Sequence, residues 1–336
     1  MDFTAGMEKV IEGIGIDKTI KSLLLVDFKP NTFLTSPLFR FKVAGLWIQI
    51  NYQGEEASKT LDFLKKYFVH FEQNSSFADK VDFVIHYRQP TNEYGSSSWK
   101  YWNEWTHEID FLNQDNGEFD QMIARDFVGY ITKDASEILA IGPELSFDTC
   151  DSIDNIISYM IGRHLLKNDG VILHAACTVF SGLAYVFFGA SGAGKSTIAE
   201  FSQRKYGHGV ISSDQVIIRY IDNKLFAELM PTTIPEFSLL HPARIITPIP
   251  VRAIYHLFQS NEVFSCYEVE SSLWLKYFMR ELVYRNEFRN EKKLLDLSLK
   301  IAQDTTVVRG EMSYQKETDY FSKLHEVLRI KELSNE

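Results

Sequence analysis

Cysteine is scarce in this chain. There are three in 336 residues, Cys150, Cys177 and Cys266, far apart and with no CxxC pair. That spacing excludes a disulfide framework and a zinc knuckle, and it fits a reducing, cytoplasmic setting. Long apolar runs are missing too. None reaches the ~20 residues that a membrane span needs, so no membrane partner is expected. The opening MDFTAGMEKVIEGIG lacks the basic start and apolar run of a secretion signal. Basic residues are outnumbered, 35 Lys and Arg against 45 Asp and Glu, for a formal charge of −10 and a pI near 5.5. A general nucleic-acid binder should be basic, so that class is excluded, while a local basic pocket for phosphates is not. Repeats and low-complexity linkers are absent as well.

What is present is apolar material, 45% of the residues, in a chain long enough for more than one domain. Residues 1–150 read as a small α+β domain for recognition or assembly. Phe39 to Gln53 alternates as one strand. Leu61, Leu64, Phe68 and Phe71 stand at helical spacing, and KVDFVIHYRQP is a strand ended by Pro90. Several short strand-like runs fill Trp105 to Gly142. Trp99, Trp102 and Trp105 recur at a spacing of three; a peptide platform is conceivable, but core and edge packing is the better reading. A helix follows from Asp151 to Gly170, capped by Asp151 or Ser152 and ended by Gly170. The domain boundary is placed just before it, so that 151–336 forms the second domain.

After Gly170 come two β-rich runs, Val171 to Phe180 and Leu183 to Phe188, separated by Ser181-Gly182. A two-residue turn containing glycine predicts a hairpin. Then the chain gives Gly189-Ala190-Ser191-Gly192-Ala193-Gly194-Lys195-Ser196-Thr197. The first eight residues fit G-x-x-x-x-G-K-[ST] at every fixed position. Phosphate oxygens must be wrapped by successive backbone N–H groups, and a Cβ would block that approach. The helix start beyond the loop favours anions. Lys195 supplies charge for the β- and γ-phosphates, and Ser196 is placed to ligate Mg²⁺. A flexible Gly/Ser linker is the rival reading; the strand before the loop and the helical Ile198, Ala199 and Phe201 after it disfavour that. No N-K-x-D for guanine and no L-S-G-G-Q of a transporter ATPase is present.

The stretch LHAACTVFSGLAYVFFGASGAGKST, with YGHGVISSDQVII after it, resembles the catalytic domain of HPr kinase/phosphorylase and its relatives, serine kinases that share a P-loop core with phosphoenolpyruvate carboxykinase. In that family a histidine opens a strand about fifteen residues before the P-loop, and a Gly-His and then an acidic pair follow the P-loop helix. Here His174 stands 15 residues before Gly189 (189 − 174), and Gly207-His208 precedes ISSD. The resemblance covers roughly Leu173 to Ile218, is faint through PIPVRAIYHL, and is absent before Asp151. It implies a mixed-sheet α/β kinase domain, ATP and Mg²⁺ as cofactors, and assembly into a homo-oligomer. It also implies roles: Lys195 and Ser196 for phosphate and metal, Asp214 for Mg²⁺, His174 near the transferred phosphate, and Arg252 facing the phosphoryl group. His174 also reads as a buried strand histidine, Asp214 as a surface turn residue, and Arg252 more readily as structural than catalytic. His208 reads as local packing.

One departure matters. The first member of the acidic pair, the family's general base, falls on Ser213, and serine accepts no proton at pH 7. Either Asp214 serves as both metal ligand and base, or Asp222, Glu228 or Glu236 swings in, or transfer is slow. The expected function is therefore an ATP- and Mg²⁺-dependent kinase acting on a hydroxyl, foremost serine of a protein or peptide. A small-molecule kinase of the same fold and a non-catalytic nucleotide sensor are the alternatives.

Overall fold

In the computed structural model the described residues are 36–54, 56–69, 71–73, 81–89, 110–112, 119–123, 127–142, 144–146, 150–231, 248–260, 264–283, 291–314 and 322–324. The chain divides into two compact units, Met1–Asn155 and Ile156–Glu336. Each is a mixed α/β structure built on one eight-stranded sheet. Among the described residues no helix is long and apolar enough to cross a membrane.

The first unit contains β1 (Ser36–Val43), β2 (Leu46–Gln53), α1 (Ala57–Tyr67), β3 (Glu72–Gln73), β4 (Phe83–Arg88), β5 (Asp110–Leu112), β6 (Phe119–Ile123), β7 (Val128–Thr132) and β8 (Glu137–Ile141). The strand order is β3-β1-β2-β4-β8-β7-β6-β5. β2, β4 and β8 run parallel; the other neighbours are antiparallel. The run expected as one strand, Phe39 to Gln53, is instead a hairpin. Ala44 (φ 50) and Gly45 (φ 83) both turn left-handed and reverse the chain between β1 and β2, as two-residue hairpin turns require. Alternation then puts Phe39, Phe41, Ile48 and Ile50 inside. Helix α1 covers that face with Phe63, Leu64 and Tyr67, and Phe68 just beyond it stacks on Phe41 at 4.1 Å. Trp99, Trp102 and Trp105 lie outside the described residues.

Helix α2 (Asp151–Lys167) carries the division between the units. Its first turn closes with the Asp154 N–H donating to the Cys150 carbonyl, while the Ser152 hydroxyl bonds Tyr87 Oη at 2.9 Å. Asp169 takes the left-handed conformation after the helix (φ 54), so Gly170 opens the next strand instead of ending the helix.

The second unit continues with β9 (Gly170–Phe180), β10 (Leu183–Phe188), α3 (Lys195–Tyr206), β11 (Gly209–Ser212), β12 (Gln215–Ile221), β13 (Lys224–Leu229), β14 (Ile249–Leu257), β15 (Phe264–Tyr267), α4 (Ser271–Arg280), α5 (Glu291–Gln303) and β16 (Val308–Tyr314). β9 and β10 form the expected antiparallel hairpin, from Phe180↔Leu183 to Ala175↔Phe188, through left-handed Ser181 (φ 50) and Gly182 (φ 76). Long β9 serves two neighbours on one side, β12 along Gly170–His174 and β11 along Cys177–Val179. β10, β14 and β16 are parallel. Because β14 pairs with β13 at its start and with β10 beyond, the pairings close a circuit β10-β9-β12-β13-β14-β10. The C-terminal ends of β10, β14 and β16 therefore come together, the edge where open α/β sheets hold ligands. On one face of that edge, α3 packs Ile198 and Ala199 against Phe187, Tyr255 and Met312. Of the closing segment only 322–324 are described, and they are helical.

Candidate functional site

The glycine loop runs from the end of β10 into the first turn of α3. Its shape needs its glycines. Gly189 has φ 154, and a Cβ there would stand 2.5 Å from the Leu257 carbonyl oxygen; Gly194 has φ 104, and a Cβ would stand 2.8 Å from Tyr314 Oη. Neighbouring elements hold the loop in place. Tyr314, the last residue of β16, donates to the Gly194 carbonyl at 2.7 Å, and Gln259 Nε2 donates to the Gly192 carbonyl at 3.1 Å. Ala190, Ser191 and Gly192 are exposed at the crest. The loop itself turns through an Ala193 N–H to Ala190 carbonyl bond, and Thr197 sits in the first turn of α3.

Lys195 is buried, and its ammonium donates to the Gly189 carbonyl at 2.7 Å and the Ala190 carbonyl at 3.3 Å. Burial depresses its pKa, with Glu281 and Asp214 pulling the other way. Ser196 is exposed, and its hydroxyl reaches the Ser213 carbonyl at 3.4 Å. So α3 faces the turn between β11 and β12. The Ser212 hydroxyl shapes that turn by accepting from the N–H groups of Asp214 and Gln215, both at 3.0 Å. Asp214 then carries an exposed carboxylate whose Oδ1 lies 3.0 Å from His174 Nε2. Its carbonyl accepts from the Ala175 N–H at 2.7 Å, which ties the turn to β9.

His174 is thus brought to the loop by register, one residue beyond the Ala175↔Phe188 pair. Its other nitrogen, Nδ1, faces Glu281 Oε2 at 3.6 Å. Asp214 first, then Glu281, hold its pKa up at about 9. Pairing with the imidazolium is the main cause that keeps the Glu281 carboxyl below its ordinary range. Sequence reasoning missed Glu281. It lies 86 residues after Lys195 (281 − 195), in SLWLKYFMRELVYR, whose sequence reads as one helix. In fact α4 stops at Arg280, and Glu281 to Val283 run beside β9. The His174 N–H donates to the Glu281 carbonyl at 2.9 Å, and the Val283 N–H to the Ile172 carbonyl at 3.0 Å. Trp274 and Phe278 of α4 stack on each other and meet Phe188, the residue before the loop, edge-on.

A second imidazole–carboxylate pair stands on the same crest. His256, the register partner of Phe188, has Nδ1 at 2.9 Å from Glu311 Oε1 and stacks on Tyr277 at 4.1 Å; Tyr267 Oη donates to Glu311 Oε2. No local pattern announced it, because three strands supply it.

No family model matches this chain. No curated protein matches it either. Among solved structures, the Hpr(Ser) kinase/phosphatase from Coxiella burnetii is similar to it at 9% identity, over 48% of this chain and 91% of that one, with a TM-score of 0.28.

Lys195, Ser196, His174 and Asp214 are brought together. Arg252 is not. It follows Val251, which pairs with Ala184, whereas His256 pairs with Phe188 at the loop end. Four residues of strand separate Arg252 from that end, about 13 Å at ~3.3 Å per residue. His208 packs between the rings of Phe180 and Tyr206. Asp222 is in the β12–β13 turn, Glu228 is buried in an ion pair with Arg219, and Glu236 lies outside the described residues.

Side chains at Gly189 or Gly194 would run into Leu257 or Tyr314, so this loop shape needs both glycines. For a metal, the chain offers the Ser196 hydroxyl and the Asp214 carboxylate on facing segments. Among the described residues no group of three or more His, Cys, Asp and Glu side chains is placed to hold an ion. Such a two-oxygen shell suits Mg²⁺, which keeps waters and takes phosphate oxygens.

Two tests arise here. Gly189→Ala should destabilise the unit and weaken nucleotide binding, because the obstructing atom is a strand carbonyl that cannot step aside. Strain and overpacking each cost roughly 1–3 kcal/mol. A melting temperature equal to wild type would overturn this account of the loop. The second test is pH. An unfolded histidine titrates near 6.5, and folded His174 near 9. Its pairing therefore stabilises fully below about pH 6.5 and is lost as pH rises through 9. In EDTA, wild type should exceed His174→Gln in stability at pH 6, with the difference closing by pH 10. The effect is modest, because the His174 side chain is 38% exposed. A difference constant from pH 6 to 10 would rule out the charged pair.

Proposed function

We propose that the Ile156–Glu336 unit binds ATP with magnesium and transfers the γ-phosphoryl group to a hydroxyl, foremost serine of a protein or peptide. The observation that carries this reading is the glycine loop, with Lys195 and Ser196 set against the turn that bears Asp214 and the strand that bears His174. Lys195 exchanges the loop carbonyls for phosphate oxygens, and burial makes its charge count for more. Backbone N–H groups of the loop and α3 hold the β-phosphate. Ser196 and Asp214 hold the magnesium, which supplies charge neutralisation when bound. His174, kept cationic by its two carboxylates, adds positive charge beside the transferred group. Phosphoryl transfer depends mainly on such positioning and charge stabilisation.

The acceptor is a hydroxyl of a protein, a peptide or a small molecule. The setting goes with a reducing cytoplasm; Cys150, Cys177 and Cys266 are not joined in disulfides. Assembly into a homo-oligomer belongs to the same proposal and is checked by light scattering. A second reading, a nucleotide sensor without transfer, is favoured by one observation. Position 213 presents to Ser196 a backbone carbonyl and no carboxylate. Incubation with γ-labelled ATP, Mg²⁺ and cell extract separates the readings. Label on a macromolecule supports the protein kinase, and label on a metabolite the small-molecule kinase. Calorimetric ATP binding with no label transferred overturns both in favour of the sensor.

A further inference from the structure

We propose that Glu281 is the carboxylate that takes the proton of the acceptor hydroxyl, the role that Ser213 cannot fill. This rests on the kinase reading above. Among the described residues, the other carboxylates weighed for this role are committed or distant. Asp214 is bonded to His174 Nε2 and sits across from Ser196, the position of a metal ligand. Glu228 is buried against Arg219. Asp222 occupies the β12–β13 turn, eight residues along from Asp214 (222 − 214). Glu281 is held more loosely. Its side chain is only 17% exposed, and among the described residues its one ion-pair partner is His174, at a loose 3.6 Å. Among the described residues no donor meets its Oε1. Its backbone is fixed to β9 at His174, whose side chain meets Asp214 in the turn that faces Ser196, and its charge is felt by Lys195 and by His256 as well.

Its placement is built into the fold. The backbone at Glu281 is bonded to β9 at His174, and α4 is wedged on Phe188 through Trp274 and Phe278. A carboxylate whose backbone is fixed to β9, with an oxygen that no described donor occupies, is what orienting a hydroxyl requires. In the step, the hydroxyl proton passes to Glu281 and the hydroxyl oxygen forms the new bond to the γ-phosphorus. The bond from that phosphorus to the β–γ bridging oxygen breaks, and its electron pair leaves on ADP. The proton then passes from Glu281 to water.

The experiment uses the full chain as wild type, Glu281→Gln, Glu281→Asp and Glu281→Ala. Calorimetry measures Mg·ATP and Mg·ADP affinity. Single-turnover transfer from γ-labelled ATP is measured to a serine-containing peptide library and to water. Glu281→Gln is expected to bind both nucleotides within about threefold of wild type and to transfer ~10²–10⁴-fold more slowly, the usual cost of losing a general base. Glu281→Asp should recover part of the loss, and added formate should raise the rate of Glu281→Ala, which a purely structural side chain would not permit. Transfer by Glu281→Gln within threefold of wild type overturns the inference and leaves the kinase reading standing. So does loss of rate matched by loss of nucleotide affinity or by failure of formate to help, since Glu281 would then only support His174. Wild type that binds ATP and labels nothing in cell extract, in the peptide library or in water overturns the kinase reading, and this inference with it.

Discussion

Replacing Lys195 with alanine is expected to weaken Mg·ATP binding about 10- to 150-fold. A hydrogen bond to a charged group contributes ~1.5–3 kcal/mol, and ~1.4 kcal/mol is a factor of ten. The residue is the first of α3, so its ammonium is delivered to the loop by the strand–loop–helix geometry rather than by a mobile chain. Burial already disfavours its charge, and a triphosphate relieves that cost in a way that two neutral carbonyls do not. Loss of the amine also leaves the Gly189 and Ala190 carbonyls without this donor, so the loop should slacken locally. The sheet should not change, because the core contacts of α3 come from Ile198 and Ala199. Titration calorimetry beside far-UV circular dichroism checks both halves. Equal ATP affinity in a folded variant would mean that phosphates do not bind at this loop.

What could be read from the sequence was local. The turn Ser181-Gly182 and the glycines after Phe188 each fix backbone shape within a few residues, and the hairpin and the loop follow from them. The same logic was available at Ala44-Gly45 and was hidden by alternation that continues on both sides of the turn. Strand direction is not local. PIPVRAIYHL becomes β14, parallel to β10, and parallel partners meet only through a long crossover. That direction alone carries Arg252 away from the loop and brings His256 to it. Glu281 is the extreme case. Its position depends on where α4 ends and on a bridge between Leu282 and Leu173, neither of which has a sequence signal. The acidic turn is intermediate: ISSD gives the residues, and only the pairing of β9 with β12 sets Asp214 against His174.

The deepest loss of transfer is expected at Asp214, and Ser213 is the position that tests where the proton goes. Asp214→Asn keeps the size of the side chain and removes its charge. It should cut single-turnover transfer ~10²–10⁴-fold or more, because it takes away the oxygen proposed to ligate magnesium and the first partner of His174 together. Binding of ATP without magnesium should change little. Ser213→Asp would restore the acidic pair that the resemblance leads one to expect, yet it should not help. A second carboxylate beside Asp214 raises the pKa of one of the two and repels the γ-phosphate. If Glu281 already takes the proton, the new group has no task to perform, and the rate should hold or fall. Placed on Asp214→Asn, it should fail to restore transfer, since the backbone carbonyl of residue 213, not its side chain, is what meets Ser196. Rates at saturating ATP isolate the chemical step from binding. A gain above tenfold in Ser213→Asp would move the proton acceptor to that turn and leave Glu281 only its contact with His174.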